Sequence, residues 1–153
     1  MQRWIVIAVV GAILFGLGGG YGLWTIRQNR PSPVWVPLAL NESLPAEKRE
    51  ELAKEIQTKL LEGKALADAV KSAGLAGKLG LASDAEAEAE ARKLFFVKVG
   101  EADIPNGGGK VPSINIGFDS KKKNSKAFGD VAMLLMKEVW KLLGIKAPEG
   151  PTI

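Results

Sequence analysis

Four lysines crowd one short segment of the chain and offer its clearest potential for chemistry. Lys121, Lys122, Lys123 and Lys126 come just before a long amphipathic pattern, which predicts a helix with Ser125 as its N-cap. Ammonium groups beside the free N–H groups of a helix start suit a phosphate or an anionic lipid headgroup. A solvated surface turn is the plainer alternative. We therefore treat these four lysines as a candidate anion or headgroup contact.

Other sequence patterns resemble functional motifs but lack the spacing or the residue types that those motifs require. The run Gly107-Gly108-Gly109-Lys110 is no complete phosphate loop, because Val111 follows the lysine and a predicted strand comes next. The alternating acids of residues 84–90 point to different faces of a helix and complement its dipole. Histidine and cysteine are absent from the chain, which removes His-based catalysis, thiol chemistry and nearly all zinc sites. We predict a protein that is not an enzyme, without catalytic residues, cofactor or metal.

The N-terminal region is dominated by residues 4–26, a stretch without a charged side chain. At about 1.5 Å per helical residue it is roughly 35 Å long, enough to cross a hydrocarbon core of about 30 Å. Trp4 and Trp24 lie near its ends, where aromatic residues meet the headgroups. A cleaved signal is the alternative, but signal cores are shorter and end in small residues. We therefore predict a retained transmembrane helix in the inner (cell) membrane, with the lipid bilayer as a partner.

Glycines spaced by four occupy the second half of this stretch. Gly16 shares a helix face with Gly20, and Gly18 shares one with Gly22, so two helix backbones can approach closely in lipid. Glycine is also simply common in membrane helices, which leaves a passive role open. We predict helix packing at these four glycines, with a second copy of the chain or with another protein.

The distribution of charged residues does not determine on which side of the membrane the domain lies, and it gives little information about further partners. Arg3 precedes the apolar stretch and Arg27 and Arg30 follow it, which weakly favours a cytoplasmic domain. A short charged N-terminus is also typical of a signal anchor, which would place the domain outside the cytoplasm. The net charge of +4 comes mostly from these three arginines. We therefore predict no nucleic-acid partner.

After the predicted anchor the pattern becomes that of a small globular domain. Prolines at 31 and 33 stop the membrane helix, and the next residues, with Pro37, predict an edge strand. Three helices follow, then two antiparallel strands and a long final helix. This order predicts an α+β fold, in which a single transmembrane helix precedes a small domain with helices packed on a short, mainly antiparallel sheet. The predicted divisions are a transmembrane anchor at 1–30, a linker and edge strand at 31–42, the domain at 43–146 and a flexible tail at 147–153.

Residues 60–144 resemble the periplasmic domain of polysaccharide chain-length determinant proteins. The similarity lies in the helical segments at 66–75 and 90–94 and in a strand at 111–118 that leads directly into a helix at 126–143. That family also has a long helical hairpin and a second membrane helix, and neither is predicted here. The resemblance implies a domain that catalyses nothing and that organises the polymerisation or export of surface polysaccharide through oligomeric assemblies.

Two functions follow from these patterns. The first is a single-pass membrane protein with a small extracytoplasmic domain that mediates assembly, for which the resemblance implies an envelope polysaccharide system. The second is an accessory subunit of an unrelated membrane complex, in which the glycine-rich helix docks and the domain fills a surface. Both require a protein partner or a homo-oligomer.

Overall fold

Helices packed on three antiparallel strands make up the computed structural model, which describes residues 25–103 and 109–144. The predicted α+β class is therefore confirmed. In chain order the elements are β1 (Val34–Ala39), α1 (Ala46–Glu62), α2 (Ala65–Ser72), α3 (Leu75–Leu79), α4 (Asp84–Leu94), β2 (Phe95–Asp103), β3 (Lys110–Phe118) and α5 (Ser125–Leu142).

The sheet has the strand order β1-β3-β2, with both pairings antiparallel. β1 is an edge strand, as predicted, and it pairs with β3 along its whole length, from Val34 opposite Phe118 to Ala39 opposite Ser113. Pro37 is tolerated there because an edge strand leaves half of its backbone groups outside the ladder. β2 and β3 pair in a hairpin register that reaches Asp103 opposite Lys110.

One face of the sheet carries the hydrophobic core. The inner face of the central strand β3 presents Ile114, Ile116 and Phe118, all fully buried. The Phe118 ring lies 5.5 Å from the Phe95 ring and 5.1 Å from the Phe128 ring, between centroids, and so joins the sheet to α5. The predicted apolar face of α5 is confirmed from Phe128 to Val139, whose buried residues follow helical spacing. The same face was predicted to include Leu142, which is instead 49% exposed at the end of the helix.

The helices α4 and α5 begin in different ways. The Ser83 hydroxyl accepts a hydrogen bond from the Glu86 N–H at 3.3 Å and so caps the start of α4. The prediction of Ser125 as N-cap of the last helix was wrong. Ser125 is the first residue of α5, because a 3₁₀ turn at Lys122–Asn124 comes before it, and its hydroxyl donates back to the Lys122 carbonyl at 2.8 Å.

The short helix α3 was not predicted. It has five residues, too few for apolar periodicity to reveal it. Gly74 and Gly80 border it with φ of 62° and 68°, a left-handed conformation that favours glycine.

Several predicted features fall on parts of the chain without a described structure. Residues 25–28 are helical, and in the part of the chain that is described no helix has the length and apolar character to cross a membrane. The predicted transmembrane helix therefore stays a prediction. Outside the described residues lie most of that helix, the glycines Gly16, Gly18, Gly20 and Gly22, residues 106–108 of the predicted connection between the last two strands, and the tail at 147–153.

Candidate functional site: a basic turn fastened where the chain enters the domain

The chain enters the domain through a serine clasp, which we define as Ser32 and Ser120. The Ser32 N–H donates to the Ser120 carbonyl at 2.7 Å, and the Ser120 hydroxyl donates to the Ser32 carbonyl at 2.7 Å. Ser120 is only 3% exposed, so water competes poorly for these hydrogen bonds. The clasp therefore fixes the segment before β1 against the segment that follows β3.

The clasp is extended by the neighbouring residues on both segments. Pro31 faces Lys121 in an isolated antiparallel bridge. The Lys122 N–H donates to the Arg30 carbonyl at 3.0 Å. Proline lacks an N–H, so this short ladder depends on the bonds made by its neighbours. Together these contacts place Arg30 beside the first lysines of the cluster.

The lysines themselves lie on a folded segment, the basic turn, which we define as residues 121–126. Within it the Asn124 N–H donates to the Lys121 carbonyl at 2.9 Å. The Ser125 hydroxyl donates to the Lys122 carbonyl at 2.8 Å. The backbone of the basic turn is thus held by internal bonds as well as by the bond to Arg30. The lysine side chains therefore extend from a backbone that is held in place by hydrogen bonds.

Positive charge accumulates on this side of the domain. All four predicted lysines are exposed, and so are Arg27 and Arg30. Within residues 25–103 and 109–144, no carboxylate forms an ion pair with the three consecutive lysines of the basic turn. Exposed, unneutralised cations in one region attract anions through a field that extends about 8 Å at physiological ionic strength.

The two carboxylates nearest in sequence to the basic turn are engaged with other lysines. Asp119 lies 3.9 Å from Lys98, between Oδ2 and Nζ. Asp130 accepts a hydrogen bond from Lys78 at 2.6 Å. That hydrogen bond and the charge of Lys78 lower the pKa of Asp130 below its ordinary value, and the charge of Lys126 lowers it further. Each of these acids is therefore paired with a lysine outside the basic turn, and Asp130 also interacts with Lys126.

The chemistry of this arrangement is electrostatic. Lysine ammonium groups and arginine guanidinium groups stay charged at neutral pH and bind phosphate or carboxylate oxygens. In the described part of the chain, no three acidic side chains are grouped as metal ligands, and every fully buried side-chain polar atom has a hydrogen-bond partner. The surface is suited to holding an anionic layer at the point where the chain enters the domain.

The structure adds one relationship that the sequence did not reveal. The predicted lysines of the basic turn lie next to Arg30, although many residues separate them along the chain. The prolines around Ser32 were interpreted only as the end of the membrane helix. No sequence spacing relates a serine before the first strand to a serine after the last strand. The serine clasp could therefore not be predicted from the sequence. The predicted helix-packing glycines lie outside the described residues and are not placed relative to this site.

Comparison with protein-family models, with curated proteins and with solved structures gives no match for this chain. The resemblance to polysaccharide chain-length determinants therefore rests on the residues quoted for it and stays a prediction.

Proposed function

We propose that this chain is a non-enzymatic, single-pass membrane protein whose small domain mediates assembly outside the cytoplasm. The observation that supports this most is the serine clasp, which fastens the basic turn beside Arg30, directly after the predicted transmembrane helix. From Ile26 to Pro31 the chain spans at most about 18 Å. In a bilayer crossed by residues 4–26, Pro31 and the Lys121 backbone that pairs with it would therefore lie within that distance of the hydrocarbon edge.

The proposed arrangement gives the domain two attachments to the membrane. The transmembrane helix supplies the first. The second is electrostatic, because each lysine or arginine near an anionic lipid surface contributes about 1 kcal/mol. Two attachments restrict how the domain rotates over the bilayer, so its helix layer is presented to partners in a limited range of orientations. Such pre-orientation lowers the entropic cost of assembly.

Assembly is the proposed role because the chain offers a packing surface in the membrane. Gly16 with Gly20, and Gly18 with Gly22, allow close helix approach in lipid, where packing has to replace the hydrophobic effect. The resemblance to chain-length determinants supplies the biological setting of this proposal, which is the polymerisation or export of an envelope polysaccharide.

An accessory subunit of an unrelated membrane complex is the second candidate. One observation favours it. Arg27, Arg30 and the basic turn put several positive charges at the domain end of the predicted helix, and such charges tend to remain in the cytoplasm. A cytoplasmic domain would not fit the polysaccharide setting.

Membrane topology separates the two candidates. A reporter that is active only outside the cytoplasm, fused after Ile153, should be active if the domain is extracytoplasmic. The matched control is a cytoplasm-specific reporter at the same position. In spheroplasts, added protease should digest the domain without lysis. Digestion only after lysis would contradict the extracytoplasmic assignment and would favour the accessory subunit.

Assembly is tested in the predicted membrane helix. Replacing Gly16 and Gly20 together by leucine should block backbone approach on one face without shortening the span. Cross-linking or co-purification of partners from mildly solubilised membranes should fall, while membrane insertion is unchanged. The control places leucine at Val9 and Ile13, which have the same spacing and are already large and apolar. An unchanged assembly state in the glycine double variant would contradict helix packing there.

A further inference from the structure

The sheet has a second face, opposite the core, which carries aromatic side chains. Trp35 of β1 and Phe96 of β2 both alternate with core residues and therefore lie on this outer face. Trp35 is 50% exposed, an unusual exposure for tryptophan. A folded domain gains nothing by leaving such a side chain in water, so the outer face requires an explanation.

The two aromatic residues face each other across a glycine. In register, Trp35 pairs with Gly117 and Gly117 pairs with Phe96. Adjacent strands are about 4.8 Å apart, so the backbones of Trp35 and Phe96 are separated by roughly 10 Å with no side chain between them. An open groove results, with Asn115 and Asp119 also on its border.

A lysine completes the groove. The Lys98 Nζ lies 4.6 Å from the centre of the Phe96 ring and 3.9 Å from Asp119 Oδ2. The cation therefore lies over the Phe96 ring and is paired with the carboxylate of Asp119. Protein surfaces that contact lipid headgroups typically combine aromatic side chains with lysines. The aromatic rings lie near the boundary with the acyl chains, and the ammonium groups bind the phosphates.

The groove lies at the end of the sheet where the chain enters the domain. Pro33, on its border, directly follows the serine clasp, and Asp119 directly precedes it. Trp35 is nine residues after Ile26, the last residue of the predicted membrane span. The basic turn adjoins this end through the bridge between Pro31 and Lys121. The basic turn and the groove therefore lie at the same end of the sheet.

We propose that this end of the outer sheet face rests on the bilayer, with Trp35 and Phe96 in the headgroup region and Lys98 and the basic turn on anionic lipid phosphates. The inference rests on the proposed function, because it needs the chain to be anchored in the membrane. The occupant is chosen by the positive charge of the neighbouring basic turn and by the short path from Ile26. A second copy of this chain or another protein on the same face is an alternative outcome of the test.

The test uses the full chain with Trp35 as its single tryptophan, obtained by replacing Trp4, Trp24 and Trp140 with phenylalanine. The chain is reconstituted in phosphatidylcholine vesicles with and without phosphatidylglycerol. Quenching by lipids brominated near the headgroup reports contact with the bilayer, and quenching by acrylamide reports contact with water. The matched control carries Trp35→Phe in addition and a tryptophan introduced by Met133→Trp on α5, since Met133 is 51% exposed.

The inference predicts severalfold stronger quenching of Trp35 than of the control tryptophan by brominated lipid, and weaker quenching by acrylamide. Phosphatidylglycerol should strengthen the lipid contact, and Lys98→Gln should weaken that dependence. Equal accessibility of the two tryptophans in a chain that floats with the vesicles would overturn the inference and leave the proposed anchoring intact. Shielding from acrylamide without quenching by brominated lipid would show a protein occupant and would also overturn it. A chain that fails to float with the vesicles would overturn both.

Discussion

The hydroxyl of Ser120 donates a hydrogen bond of 2.7 Å to the carbonyl of Ser32, and the N–H of Ser32 returns one of 2.7 Å to the carbonyl of Ser120. This reciprocal pair joins the start of the domain to the turn after the central strand. The basic turn is therefore held where the chain enters the domain.

Removing the Ser120 hydroxyl should weaken the domain measurably. Ser120→Ala leaves the Ser32 carbonyl without this donor in a poorly hydrated position, so the free energy of unfolding should fall by about 1 kcal/mol. Urea titration of the chain in detergent micelles, followed by near-UV circular dichroism, measures it. Ser43→Ala is the matched control, because the Ser43 hydroxyl bonds Asn41 on an exposed loop and should change stability by less than about 0.5 kcal/mol. Equal effects of the two substitutions would contradict a structural role for the clasp.

Two glycine-to-alanine changes should have opposite signs. A Cβ at Gly117 would meet the Val34 carbonyl oxygen and would lie 2.7 Å from Trp35 Cα, so Gly117→Ala should destabilise the domain by about 1–3 kcal/mol through overpacking. A Cβ at Gly129, inside α5, would meet no atom within 4 Å. Gly129→Ala should therefore stabilise by about 0.5–1 kcal/mol through helix propensity. Thermal unfolding of both variants checks the signs, and a neutral Gly117→Ala would argue against the register of β1 on β3.

The ion pair between Lys78 and Asp130 should make a pH-dependent contribution to stability. The pKa of Asp130 is lowered from 3.8, first by the hydrogen bond from Lys78. A depressed pKa in the folded state stabilises the fold above the unfolded pKa, and this stabilisation is lost as pH falls through the lowered value. Lys78→Met should therefore lower stability near neutral pH, but not at a pH below both values. Because both side chains are exposed, the effect should be small. A deficit that persisted in acid would indicate lost packing instead.

Local sequence patterns predicted most of the helices and strands, because helical periodicity and strand alternation depend only on residues that are close together in the chain. Helical periodicity identified α1, α2, α4 and α5, and alternation identified the inner face of β3. The strand order β1-β3-β2 was not predicted, since nothing around Val34 specifies that it pairs with Phe118 and not with Phe95. Pairing between distant strands depends on the tertiary packing of their common face.

The candidate site was likewise predicted from the sequence only in part. Composition alone drew attention to the lysines of the basic turn. Their position beside Arg30 depends on the clasp between Ser32 and Ser120, and serine is too common in turns to signal a contact over such a distance. The outer sheet face was missed for a related reason. Trp35 and Phe96 were assigned to strands, but only the register places them on either side of Gly117.

Both functions proposed for this chain require that it stays in the membrane. Membranes containing the full chain are extracted with alkaline carbonate, and the N-terminus of the mature protein is sequenced from the pellet. A chain beginning at Asn29, which keeps Arg30 and the clasp, is extracted in parallel. We expect the full chain to remain in the membrane pellet with residues 4–26 still attached and the shortened chain to be released. Release of the full chain, or a mature N-terminus beyond residue 20, would contradict it.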